Sequence, residues 1–198
     1  MTTATLTNQK VTVSAAVLYD LISGAYVAAD SSKDAQARLG AVYLVAENNK
    51  LTATATDRYR LVEGTAELDG GALSASCLTL HDVKRILAMI KPYIKISGNM
   101  ATVEKDGYSL TVTVNGDSVL AHSLDYSLPD YAHMISDTFS PIPTVSLNLT
   151  LLASLAKIPH DSKQPVAIGF TAEGKAIQIR MAHDSITWRA LLMPMRNK

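Results

Sequence analysis

Two short strings in this chain carry side chains suited to recognition chemistry. They are Ala55-Thr56-Asp57-Arg58-Tyr59-Arg60-Leu61 and, far downstream, Leu191-Leu192-Met193-Pro194-Met195-Arg196. Neither has the make-up of a catalytic constellation. Methionine is unbranched and polarizable, so thioethers presented near a chain end adapt to varied apolar ligands. A third string, Gly169-Phe170-Thr171-Ala172-Glu173-Gly174-Lys175, imitates a phosphate-binding loop. It lacks the Ser or Thr that would hold magnesium, because Ala176 follows, and the chain continues as a strand where a helix is needed. A hairpin turn is therefore expected there. His81, His122, His133, His160 and His183 have no Cys, Asp or Glu at a zinc-ligand spacing. No Gly-x-Ser-x-Gly elbow or Cys/His nucleophile pattern occurs. The expectation is a non-catalytic protein with no metal and no cofactor.

Composition narrows the class further. Of 198 residues, 47% are hydrophobic and 18% charged, enough apolar side chains for one or two folded domains. Eighteen basic residues balance eighteen acidic ones. A protein that grips nucleic acid mainly through phosphates usually shows a basic excess, so neutrality argues against a tight stand-alone DNA binder. A ring threaded by DNA is still compatible, since topology then replaces affinity. No apolar run is long enough for a membrane-spanning helix, and Met1-Thr2-Thr3-Ala4-Thr5 lacks the regions of a secretory signal. The single cysteine, Cys77, fits a reducing cytoplasm and reads as a small buried residue on a strand.

The elements that must position these strings repeat one plan: a strand, an amphipathic helix, then three strands. In the first segment Lys10–Val13 alternates, Ser14 can cap, and Leu18, Leu21, Ile22 and Ala25 recur at helical spacing. Strands follow at Leu39–Ala46, Leu51–Ala55 and from Arg60 to before Asp69-Gly70-Gly71, with Glu47-Asn48-Asn49-Lys50 as a hairpin turn. The second segment offers a strand at Leu73–Cys77 and a helix capped by Thr79 and closed by Pro92. Its apolar stripe is Val83, Ile86, Leu87 and Ile90, and its strands are expected at Ile94–Ser97, Tyr108–Val114 and Val119–Leu124. The third starts at Val145–Leu147, with a helix over about Leu149–Ile158 and strands at Val166–Phe170, Ala176–Met181 and Ile186–Leu192. The fold class is therefore α+β, with helices on one face of antiparallel sheet. Lys84, Arg85 and Lys91 fall away from their helix's apolar stripe, and Lys157 and Lys163 add further charge. A solvated surface and a nucleic-acid face both account for these. The first helix instead turns Tyr19, Asp20, Ser23 and Tyr26 outward, with no base.

The two recognition strings, together with Leu39-Gly40-Ala41-Val42-Tyr43-Leu44 and the linker Leu124-Asp125-Tyr126-Ser127-Leu128-Pro129-Asp130-Tyr131, resemble the bacterial DNA polymerase III beta sliding clamp. The resemblance covers roughly residues 9 to 198. It implies the DNA-clamp fold and a processivity factor that encircles duplex DNA without sequence specificity. Such a factor tethers replicative polymerase and clamp-loader proteins through short apolar peptides. The implied peptide pocket has Val42, Thr56, Arg58, Tyr59, Arg60 and Leu61 on one side. Leu191, Leu192, Met193, Pro194, Met195 and Arg196 form the other wall, with Met134 and Ser136 as the floor. Aliphatic and Met walls suit Leu or Phe anchors, while Arg60 and Arg196 suit peptide carbonyls or an acidic flank. The implied DNA contacts are Lys84, Arg85, Lys91, Lys157 and Lys163.

Family chains have three domains of two modules each, whereas this one reads as three modules. Residues 1–131 resemble a complete domain (about 9–69 and 70–131), and 132–198 the closing half of the last domain. A ring of twelve modules then asks for four chains, and a dimer would make a half-ring. Such a compact chain fits a phage or mobile element. The rival expectation is a clamp-like peptide binder that never encircles DNA and competes with a host clamp for its partners.

Overall fold

The structure, a computed structural model, describes residues 9–32, 35–128, 130–135, 145–161, 163–170 and 175–195. Eleven strands and three α-helices are present among the described residues. In chain order they are β1 (Gln9–Ser14), α1 (Ala15–Tyr26), β2 (Ala41–Glu47), β3 (Lys50–Thr56) and β4 (Arg60–Glu67). Then come β5 (Leu73–Thr79), α2 (Leu80–Ile90), β6 (Met100–Asp106), β7 (Ser109–Val114) and β8 (Asp117–Leu124). The last are α3 (Leu149–Leu155), β9 (Ala167–Phe170), β10 (Ile177–His183) and β11 (Ile186–Leu192).

One antiparallel sheet runs β1-β6-β7-β8-β5-β2-β3-β4-β11-β10-β9. The hairpins follow from their turn residues. Asn48 and Asn49 both take positive φ (51° and 58°) between β2 and β3, as a two-residue turn matched to strand twist requires. Asn115 and Gly116 do the same between β7 and β8. The first strands of the first two segments are exchanged: β1 pairs with β6, and β5 pairs with β2. Where the halves join, β5 and β8 share only the pairs Cys77–Leu124 and Leu78–Ser123. Side chains replace the missing ladder. The Lys105 ammonium donates to the carbonyls of Ala75 (2.6 Å) and Ser74 (3.3 Å), and the Ser74 N–H donates to Gln9 Oε1 at 2.6 Å.

The helices pack on one face. Leu18, Leu21, Ile22 and Ala25 of α1 and Val83, Ile86 and Ile90 of α2 are buried in a single core with the inward side chains of the sheet. Thr79 Oγ1 caps α2 by accepting from the Asp82 N–H at 3.1 Å. Ser14 holds the corresponding place before α1 but its side chain makes no capping bond. The Ala15 N–H is satisfied instead by the Asn99 carbonyl at 2.9 Å. Trp188 of β11 is fully buried opposite Gly64 of β4. A Cβ on Gly64 would lie 2.1 Å from the indole, and one on Gly24 of α1 2.3 Å. Two glycines thus form the slot that lets β11 join β4 beneath α1.

Several expectations need correction. Ile94–Ser97 is not a strand: Lys91–Tyr93 forms a 3-10 turn after α2, and the chain passes Gly98 (φ 82°) before β6 begins at Met100. Lys91 accordingly sits on that turn and not on the helix. Val145–Leu147 forms no strand, although the Ser146 carbonyl accepts from the Met195 N–H at 2.8 Å. α3 stops at Leu155, and Ala156, Lys157 and Ile158 close through bonds three residues back. The outer face of α1 is partly covered, with Tyr19 and Tyr26 packed on the core and Asp20 reaching His183 of β10 at 3.6 Å.

Candidate functional site

The two recognition strings meet at one end of the sheet. β4 and β11 run antiparallel with Leu61 opposite Leu191 and Arg60 opposite Leu192. Met193 extends the ladder, its N–H donating to the Tyr59 carbonyl at 3.1 Å. Alternation along the strands separates Leu61 and Leu191 from the helix-side core, and they cluster with Ala176, Tyr131 and Ile135. A cleft of about 200 Å³ opens over them. Its rim is Thr56, Arg58, Tyr59 and Arg60 of the β3–β4 turn, and its far wall is Leu191 and Met193. Leu39, Asp130, Tyr131 and Met134 complete it. Tyr59 is 66% exposed, and Met193 and Met134 are also open to solvent. Such a lining offers flat aromatic and thioether contact area, with few polar groups to fix orientation.

The rim is held by Asp57. Its Oδ1 accepts from the N–H groups of Tyr59 (3.0 Å) and Arg60 (2.9 Å), and its Oδ2 takes Arg60 Nε at 3.0 Å. Thr56 Oγ1 donates to the Arg60 carbonyl at 2.8 Å and accepts from the Arg58 N–H at 3.2 Å. Within this over-determined turn Arg58 adopts φ 75°, a conformation that costs a residue bearing a Cβ. Arg60 is further tied to α3 through its Nη1 and the Ser154 hydroxyl. Its guanidinium is thus engaged within the chain, and it offers the cleft mainly its stem.

The segment after β8 is pinned across the outer face by Tyr131. The Tyr131 hydroxyl donates to Glu63 Oε2 at 2.5 Å and lies 3.3 Å from Thr54 Oγ1. Arg189 donates to Glu63 Oε1 through Nε (2.7 Å) and Nη2. Burial, and then the bond to Glu63, push the Tyr131 hydroxyl above the ordinary phenol range. This anchor places Met134, whose N–H donates to the Tyr131 carbonyl at 2.8 Å.

Of the expected pocket residues, Thr56, Arg58, Tyr59, Arg60, Leu61, Met134, Leu191 and Met193 line the cleft. Val42 and Leu192 are fully buried and do not, and Pro194 and Met195 lie outside the lining. Ser136 and Arg196 lie outside the described residues, as do Thr171–Gly174 of the phosphate-loop imitation; β9 and β10 on either side pair as an antiparallel hairpin. Leu39, Asp130 and Tyr131 were missed. The only signal for Tyr131 was an aromatic residue in a linker. The expected DNA contacts are dispersed: Lys84 and Arg85 on α2, Lys91 on the 3-10 turn, Lys157 after α3 and Lys163 before β9, all exposed. Arg85 is also engaged internally, through Asp82 Oδ1 (2.9 Å) and the Leu120 carbonyl (3.2 Å) at the open edge of β8. Among the described residues no group of three or more His, Cys, Asp or Glu could hold a metal ion.

No protein-family model matches the chain, and no curated protein matches it. Solved structures do match over its whole length. The DNA polymerase III beta subunit of Thermotoga maritima superposes with a TM-score of 0.81 at 16% identity, over 100% of this chain and 68% of that one. A DNA polymerase sliding clamp from Pseudomonas aeruginosa, solved with a ligand, gives 0.75 at 13% identity, over 100% and 69%. A putative DNA polymerase III beta subunit from Eubacterium rectale gives 0.74 at 8%, over 98% and 67%. The chain has the α+β sliding-clamp fold.

Proposed function

We propose that the chain is a non-catalytic sliding-clamp subunit whose cleft captures short apolar peptides of replicative polymerase and clamp-loader proteins. The observation that carries this reading is the β4–β11 register. It brings two strings far apart in the sequence into one apolar cleft, on a fold shared with DNA polymerase III beta subunits. On this reading residues 9–69, 70–131 and 132–198 act as three clamp modules, and copies of the chain assemble. The edge strand β9, with Ile168 exposed on it and Val166 exposed just before it, and Leu149 of α3 at 75% exposure support assembly, because an open apolar edge is a template for another chain. Duplex DNA would then pass along the helix face near Lys84 and Lys157.

A second reading, a peptide binder that competes with a host clamp without encircling DNA, has specific support. Net charge is zero, Arg85 is engaged internally, and α1 presents no base. Retention on nicked circular DNA in the presence of a clamp loader separates the two. Retention that falls on Lys84→Glu combined with Lys157→Glu supports the clamp; absence of retention leaves the peptide binder. Binding of a fluorescent Leu- and Phe-bearing peptide tests the feature both share. No binding would rule out the cleft's assigned role.

A further inference from the structure

We propose that Arg58 makes the cleft selective for apolar peptides that carry a carboxylate beside the anchor. This rests on the peptide-binding reading above and specifies the ligand class. Three charged side chains line the cleft: Arg58, Arg60 and Asp130. Arg60 is bonded to Asp57 and Ser154, and Asp130 is not without a partner of its own. Arg58 is exposed, and its guanidinium enters no hydrogen bond or ion pair among the described residues. Two acids lie near it, and neither bonds its guanidinium. Asp57 is taken up by Tyr59 and Arg60, and Asp30, which shares its field, accepts from the Ser32 N–H at 2.9 Å.

Backbone geometry points the same way. Arg58 stands at φ 75°, a place that glycine fills without penalty and a long side chain does not. Strain of this kind persists only where the surrounding structure over-determines it, and it clusters at ligand clamps and active sites. The chemistry identifies the ligand group. A guanidinium covered by an apolar peptide would lose water from five donors, so the ligand must bring acceptors of its own. A carboxylate satisfies two donors in parallel and cancels the charge, whereas a ligand lysine would be repelled.

The test uses three fluorescent octapeptides that share a Leu-Phe anchor and carry Glu, Gln or Lys on both sides of it. Fluorescence anisotropy with the full chain should rank them Glu, Gln, Lys, with about three- to tenfold between Glu and Gln. That ratio should shrink when salt rises from about 50 to about 500 mM. Arg58→Gly should bring the Glu-to-Gln ratio close to one, with a melting temperature no lower than the parent's. Arg58→Glu should invert the order in favour of Lys. Peptides that bind with no preference for Glu, or a preference that survives both substitutions, would overturn the inference alone. If none of the three binds, the peptide reading falls and this inference with it.

Discussion

Met193 and Met195 sit two positions apart in sequence and in different surroundings. Met193 lines the cleft wall and Met195 lies beyond it. Met193→Ala is therefore expected to weaken an apolar peptide by about tenfold, as for loss of a well-packed anchor contact, and Met195→Ala by less. Anisotropy titrations of the two variants check this; equal losses would mean the wall is drawn wrongly. Asp57 does not line the cleft yet supports three bonds of its rim. Asp57→Ala should lower folding stability by about 1–2 kcal/mol and weaken the same peptide, measured by urea melts and anisotropy in parallel. The strings themselves were legible in sequence because unusual residue types carried them. Leu39 and Tyr131 were not, because their roles depend on where distant backbone passes.

Elements set the second scale, and Tyr131 is its clearest case, since one phenol holds the post-β8 segment to the sheet. Its folded form keeps its proton above the unfolded phenol value of about 10, so its contribution is complete below that pH and is lost as pH rises beyond it. Urea midpoints at about pH 8 and about pH 11 should therefore fall less in Tyr131→Phe than in the parent. Some slope should survive, because burial also raises Tyr43. The glycine slot makes a second test at this scale. Gly64→Ala forces a methyl into the Trp188 ring and should cost about 2–3 kcal/mol, read as a lowered melting temperature. Strands with strong alternation or firm turn residues, such as β3 and β11, were readable in advance. β6 was not: its inward side chains are Ala101 and Val103, while the false candidate Ile94-Lys95-Ile96 alternates more strongly. Periodicity registers local pattern, and the 3-10 turn and Gly98 decided the outcome.

At the scale of the whole molecule, what sequence could not reveal is strand exchange. β1 lies beside β6 and β5 beside β2, so neither of the first two segments has a complete sheet of its own. The third has no first strand among the described residues and leaves β9 at the end of the sheet. That asymmetry is the physical ground for expecting self-association. Light scattering across a concentration series should give a mass of four chains, or two for a half-ring. A persistent monomer would remove the ring and favour the peptide-binding rival.

The cleft itself is tested most directly by the methyl spectrum of methionine-labelled protein titrated with a Leu-Phe peptide. The chain has seven methionines, and they report from distinct places. The Met193 and Met134 methyls, which line the cleft, should shift, while Met89 on α2, Met100 on β6 and buried Met181 should stay fixed. Shifts confined to Met89 and Met100, or none at saturating peptide, would contradict the assignment of this cleft as the binding site.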